Sequence, residues 1–126
     1  MVEFVRVGLT RTLRYHTMNE EFLLKNYNMI RIIYNWKVQS ENVDLFIQTW
    51  KKTTNKIHET VKGARGSFMI QHHEDPTEIK TIARWDTLED WKRFFQGSNP
   101  SQMLSMRDLG ERTSVEIFRE VDDFTR

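Results

Sequence analysis

Residues 67–95 read SFMIQHHEDPTEIKTIARWDTLEDWKRFF, and this stretch decides the fold. Two short runs rich in β-branched and aromatic side chains, 67–73 and 79–85, flank the turn Glu74–Glu78, with Pro76 in its middle. Proline presets a turn dihedral and cannot donate to a strand ladder, so the pattern predicts an antiparallel hairpin. Thr87 and Asp90 follow at capping-box spacing, and Leu88, Trp91, Phe94 and Phe95 recur as one helical face. The hairpin therefore runs directly into an amphipathic helix with an aromatic side.

Upstream, residues 29–39 (MIRIIYNWKVQ) predict another strand. Ser40 and Glu41 offer a helix cap and a first-turn acid. Val43, Phe46, Ile47, Trp50, Ile57 and Val61, with Thr54 filling the gap, then make a single apolar stripe. That stripe predicts a helix of about six turns, ended by Gly63 and Gly66. Downstream, Gly97 stops the aromatic helix, and Asn99–Pro100 start a short one that ends at Gly110. Residues 114–121 (SVEIFREV) alternate and predict the last strand. From Met29 the order is β, α, β, β, α, β with a short helix before the final strand. This is the ferredoxin-like split βαβ arrangement: an α+β fold with one antiparallel sheet and helices on one face.

The domain thus spans 29–126, behind an N-terminal extension over 1–28. In that extension Phe4, Val5, Val7, Leu9 and Leu13 predict an extra strand over 3–13, and Thr17 and Glu20 cap a short helix through Leu24. With 126 residues the chain fits one domain, which buries roughly two-thirds of its unfolded surface and folds without staples. The absence of cysteine excludes a disulfide framework and thiolate metal sites and fits a reducing compartment, so a cytoplasmic protein is expected. Nineteen basic against eighteen acidic residues, scattered rather than striped, give no nucleic-acid footprint. No apolar run approaches the roughly 20 residues of a bilayer span, so no membrane partner is expected.

Sheet patterning suggests a partner of another kind. In the first strand Ile30, Ile32, Tyr34, Trp36 and Val38 are all apolar or aromatic. The alternate set, Met29, Arg31, Ile33, Asn35 and Lys37, is half apolar. The hairpin behaves similarly, with Phe68 and Ile70 pointing one way and Met69 the other. Both faces therefore need cover, and a second copy of the chain supplies it, giving a homodimer. The alternative is a monomer whose segment 3–13 covers the open face.

The span Met29–Phe95 resembles the antibiotic biosynthesis monooxygenase domains. The opening strand MIRIIYNWKV, the long helix after Ser40, the glycine turn into the hairpin and the Trp85-Asp86-Thr87 junction carry the likeness. The resemblance implies a dimeric α/β barrel and, in some members, cofactor-independent oxygenation of quinols or polyphenols. Other members degrade haem with a first-strand Asn and with a Trp and a His after the third strand. Asn35 matches that Asn position and Phe94 falls near the Trp place, but no histidine follows His73. That departure speaks against haem degradation.

The candidate site residues follow. Asn35, in an apolar strand, is a pocket hydrogen bond to a substrate oxygen or a satisfied core amide. His73 is the candidate base, chosen over its neighbour His72 because a regular strand puts it with Met69 and Gln71; the alternative is a solvated strand end. Arg84 either holds an anionic substrate oxygen or pairs with a carboxylate such as Glu116. Trp85, Trp91 and Phe94 stack on a planar ligand or form core. Met103 belongs to an adaptable apolar wall. His16 and His58 read as surface residues. No phosphate loop or metal-ligand motif is present, so neither metal nor cofactor is expected. The expected activity is oxygenation of a small phenolic molecule, and the rival is a non-catalytic binding or accessory protein on the same scaffold.

Overall fold

A computed structural model describes residues 29–97 and 103–126. The extension over 1–28 and the Asn99–Pro100 helix start lie outside the described residues. In chain order the elements are β1 (Ile30–Val38), a 3-10 turn (Ser40–Asn42), α1 (Val43–Thr60), β2 (Ala64–Gln71), β3 (Glu78–Trp85), α2 (Leu88–Gln96), α3 (Leu104–Arg107) and β4 (Gly110–Arg119). The strands lie in the order β2-β3-β1-β4, and every neighbouring pair is antiparallel. This is the ferredoxin-like α+β sheet that the element order predicts.

Local differences from the expected boundaries have physical causes. Ser40 does not cap α1: it lies in the 3-10 turn, and Asn42 precedes the helix without a side-chain cap. Thr87 does cap α2, its Oγ1 accepting the Asp90 N–H at 3.0 Å, while the Asp90 carboxylate turns to Arg93. Gly63 (φ +85°) makes the turn out of α1, but Gly66 (φ +97°) sits inside β2, where the pairing slips between Ala64 and Ser67. A positive φ within a strand marks a bulge, a conformation glycine adopts without penalty. With the bulge included, β2 starts at Ala64, earlier than the sequence pattern implied. The strand ends at Gln71, and β4 begins at Gly110 rather than 114.

The apolar set of β1 faces the helices: Ile30, Ile32, Tyr34, Trp36 and Val38 are all buried. They pack with Val43 and Phe46 of α1, Trp91 and Phe94 of α2, Met106 of α3, and Ile79 and Trp85 of β3. Trp36 stacks edge-on against Phe46 at 5.0 Å and donates its indole N–H to Thr81 Oγ1 at 3.1 Å. On α1 the buried threonine is Thr53, one position before the expected Thr54.

The opposite face carries an apolar row, Phe68–Ile82–Ile33, running across β2, β3 and β1. Ile70 and Phe118 extend it diagonally, and Phe68, Ile70 and Phe118 are each about half exposed (48%, 48% and 50%). Polar networks frame the row. On one side Asn35 donates to Ser114 Oγ (2.7 Å) and Glu116 Oε1 (2.9 Å) and accepts from Lys80 Nζ. On the other, Arg31 and Arg84 stand directly opposite each other on neighbouring strands. Like charges so placed repel, and Glu120 bridges them, accepting from Arg31 Nε at 2.9 Å and Arg84 Nε at 3.0 Å. The β2–β3 turn is held by Asp75, whose carboxyl is lowered to about 2 by hydrogen bonds from the Thr77 hydroxyl and N–H, with Lys37 assisting.

Candidate functional site

A cavity of about 40 Å³ lies between the sheet and the helices. Tyr34 of β1, Trp50 and Thr53 of α1, Thr81 and Trp85 of β3, and Phe94 of α2 form its walls, with Met103 and Met106 beside them. At its rim stand His58, Gly66, Ser67 and Arg84. Apolar and aromatic walls with a few hydroxyls suit an uncharged planar molecule. A second, wider groove of about 730 Å³ is open to solvent and lined by Lys37, Arg107, Asp108, Glu111 and Arg112 among others. That groove has greater volume but offers charges rather than an aromatic wall, so the smaller cavity between the sheet and the helices is the better ligand site.

Of the residues expected from the sequence, Trp85, Phe94 and Met103 line the cavity. Trp85 and Phe94 meet in a tilted pair at 5.3 Å. Arg84 contributes to the rim, but its guanidinium is held by Glu120 at 3.0 and 3.1 Å. Its partner is therefore Glu120 and not Glu116, which takes the Asn35 amide. Trp91 is outside the lining and supports it from behind, stacked on Phe95 at 4.8 Å.

Neither expected catalytic residue reaches the cavity. Asn35 belongs to the alternate set of β1 and faces the open side, where Ser114, Glu116 and Lys80 occupy its amide. His73 lies beyond the end of β2, so the strand parity that grouped it with Met69 does not extend to it. It is exposed in the turn and stacks on His72 at 5.5 Å. His72 Nδ1 in turn accepts the backbone N–H groups of Glu74 and Asp75, both at 3.1 Å.

The polar groups that do reach the cavity come from residues read as core or surface. Tyr34 is its most buried hydroxyl-bearing aromatic and accepts the Trp91 indole N–H at 2.9 Å. That bond occupies an oxygen lone pair and leaves the Tyr34 O–H free to donate. Arg112 stands over the Tyr34 ring at 5.7 Å and the Phe95 ring at 5.2 Å, a cation–π brace behind the site. Burial pushes the Tyr34 hydroxyl above its ordinary value of 10.0, against the opposing effects of Trp91 and Arg112. Because the folded value is raised, the neutral form is the stabilised one. Its contribution is present below the unfolded value and is lost as pH climbs past it. In an alkaline spectrophotometric titration, Tyr34 is expected to ionise above the normal tyrosine range, and a Tyr34→Phe variant should lose that late step.

Trp50 is the second addition. Its Nε1 is buried and finds no hydrogen-bond acceptor among the described residues. A buried unpaired donor costs roughly 1–3 kcal/mol. In a side chain that lines a cavity, it marks a place where a water or a ligand oxygen would be held.

The signal for Tyr34 was present in the sequence. It sits in the wholly apolar or aromatic alternate set of β1, which the helices cover, so its hydroxyl was the one side-chain oxygen of that set. The helix periodicity put Trp50 on the apolar stripe but gave no sign of its unpaired Nε1, and it did not mark His58, whose partner comes from β2.

Among the described residues no helix is long and apolar enough to cross a membrane. No protein of curated function matches the chain. Solved structures that resemble it include SnoaB, a cofactor-independent oxygenase from Streptomyces nogalater, seen in a mutant form. It aligns with a TM-score of 0.65 at 11% identity, covering 79% of this chain and 99% of that one. A conserved protein from Methanosarcina mazei Go1 aligns at 0.64 and 14% identity, over 78% and 98%. Rv0793 from Mycobacterium tuberculosis aligns at 0.60 and 9% identity, over 77% and 99%. At these identities the likeness is one of fold. The family profile for antibiotic biosynthesis monooxygenase matches residues 29–102, from the first residue before β1 to the approach of α3, and by that match the chain belongs to the antibiotic biosynthesis monooxygenase family.

Proposed function

We propose that the chain is a cofactor-independent monooxygenase acting on a small planar phenol or quinol held between the sheet and its helices. The observation that carries this reading is the composition of the cavity: aromatic walls from Trp85, Phe94 and Trp50, with the free Tyr34 O–H among them. An aromatic slot positions a flat ring, and a buried hydroxyl stabilises oxygen charge developing on it. Such an anion is electron-rich enough to react with dioxygen directly. With 1,4-dihydroxynaphthalene the balance is simple. One oxygen atom enters the ring as a hydroxyl and the other leaves as water, while the quinol supplies two electrons by becoming the quinone. The test is oxygen uptake with this quinol. One dioxygen consumed per hydroxyquinone formed, faster than in buffer and slowed by Tyr34→Phe, supports the reading. No uptake above buffer removes it.

One observation favours a second reading, a non-catalytic binding or accessory protein. The cavity holds about 40 Å³, close to one water's share of liquid, roughly 30 Å³, whereas drug-sized ligands occupy sites of roughly 300 Å³ or more. Turnover therefore requires the wall to open, and Met103 and Met106, being unbranched, are the lining residues best able to do so. The assembly belongs to the same proposal. A second copy would cover the row Phe68–Ile82–Ile33, closing two sheets face to face. Phe68→Asp, at a half-exposed position, is expected to leave the fold intact and turn a sedimenting dimer into a monomer. Wild-type protein that sediments as a monomer at micromolar concentration would overturn the dimer.

A further inference from the structure

We infer that His58 is the proton acceptor of this cavity, taking the hydroxyl proton of a phenolic or enolic ligand. This inference rests on the ligand reading above. His58 lies in the last turn of α1 and forms part of the cavity rim. Its Nδ1 is 2.9 Å from the Ala64 carbonyl oxygen at the start of β2. A carbonyl only accepts, so Nδ1 carries the hydrogen, and the neutral ring is left with a lone pair on Nε2. The contact also fixes the ring across the turn that joins α1 to β2.

The inventory of the lining makes the assignment specific. Among the described residues, its remaining polar side chains are the hydroxyls of Tyr34, Thr53, Thr54, Ser67 and Thr81 and the indoles of Trp50 and Trp85; Arg84 also borders it, but its guanidinium is held by Glu120 on the other face of the sheet. Hydroxyls and an indole do not take up a proton near neutral pH, and a guanidinium already holds one. Among the described residues no carboxylate lines the cavity. Imidazole is thus the one group there with the chemistry of a general base. The charged residues nearest it along the chain are Lys56, Glu59 and Lys62, and Arg65 and Arg84 stand on the adjoining ends of β2 and β3. Arg65 is paired with Asp86 at 2.7 Å and Arg84 with Glu120 at 3.0 Å. A phenol bound with its O–H at Nε2 would pass that proton to the ring. The resulting phenolate would face the imidazolium at the rim, with the Tyr34 O–H available deeper in.

The test uses the full chain and 4-nitrophenol, whose phenolate is yellow, with binding followed by equilibrium dialysis and ionisation by absorbance below the probe's own pKa. The informative variant is His58→Asn. Its amide nitrogen can replace Nδ1–H in the bond to Ala64 but cannot accept a proton. Wild-type protein is expected to hold the bound probe as phenolate on the order of tenfold more than the variant does, the effect of about one unit in its ionisation. His58→Gln, which loses the Ala64 bond instead, should also leave the probe unionised, and circular dichroism should report an unchanged fold for both. Equal ionisation in wild type and His58→Asn would overturn the assignment even if oxygen uptake continued. A probe that does not bind wild-type protein would overturn it together with the ligand site. Bound, ionised probe without any oxygen uptake would keep His58 as the acceptor while removing the oxygenase reading.

Discussion

Trp36→Ala is expected to lower the unfolding free energy by about 4 kcal/mol, the range for truncating a fully buried aromatic in a close-packed core. Trp36 is 2% exposed and sits at the centre of the packing. Its ring meets Phe46 edge-on at 5.0 Å and Tyr34 at 6.4 Å, so truncation leaves a void lined on two sides by aromatic groups that have no way to collapse. The indole N–H also donates to Thr81 Oγ1, and Thr81 is buried, so the truncation strands a hydroxyl. Domains of this kind are stable by roughly 5–15 kcal/mol, so the variant should fold only marginally. Urea denaturation followed by circular dichroism, at one fixed protein concentration because assembly contributes to apparent stability, is the measurement. A loss under about 1.5 kcal/mol, the scale of a volume-conserving swap, would mean that Trp36 is not where the core is centred.

Gly63→Ala is expected to cost about 3 kcal/mol, from two separable sources. Gly63 has φ +85°, a left-handed conformation that costs an L-residue roughly 1–2 kcal/mol. The added methyl would also meet Asp90 Oδ2 at 2.3 Å and Asp90 Cβ at 2.7 Å. Rotating the carboxylate relieves the first contact but not the second, so α2 itself must retreat from the turn. It is poorly placed to do so. The Asp90 N–H is held by Thr87 Oγ1, and the Gly63 carbonyl accepts the Asp86 N–H at 2.9 Å. Overpacking of this kind adds roughly 1–3 kcal/mol. Gly66→Ala supplies the control, since φ there is +97° but no atom lies within 4 Å of the added methyl. It should show the backbone penalty alone. Equal losses at the two glycines would mean that the close approach of α2 to this turn is not what requires Gly63.

These two positions differ in how visible they were beforehand. Trp36 belongs to an unbroken alternate run of apolar residues, and burial of that run follows from composition. Gly63 was legible only as a helix stop, because the reason for the glycine is a carboxylate 27 positions along the chain. The candidate site divides in the same way. Trp85, Phe94 and Met103 were readable because they sit on apolar faces that can only turn inward. His73 was misplaced because β2 ends at Gln71, two positions before it, where the turn to β3 begins. Asn35 was misplaced although β1 contained the answer: if the wholly apolar set faces the helices, Asn35 must face away from them.

The order of elements, the side of β1 that is buried, the aromatic face of α2 and its Thr87 cap were all determined by the sequence alone. Each depends on a local period or on residues within one turn of each other. Tertiary structure alone decided that the Trp91 N–H meets the Tyr34 hydroxyl, that the His58 ring is fixed on the Ala64 carbonyl, and that Trp50 Nε1 finds no partner among the described residues. Those relations depend on how the helices cross the sheet and on the bulge in β2. Side-chain periodicity specifies which face an element buries but not which atoms of two faces come within 3 Å of each other.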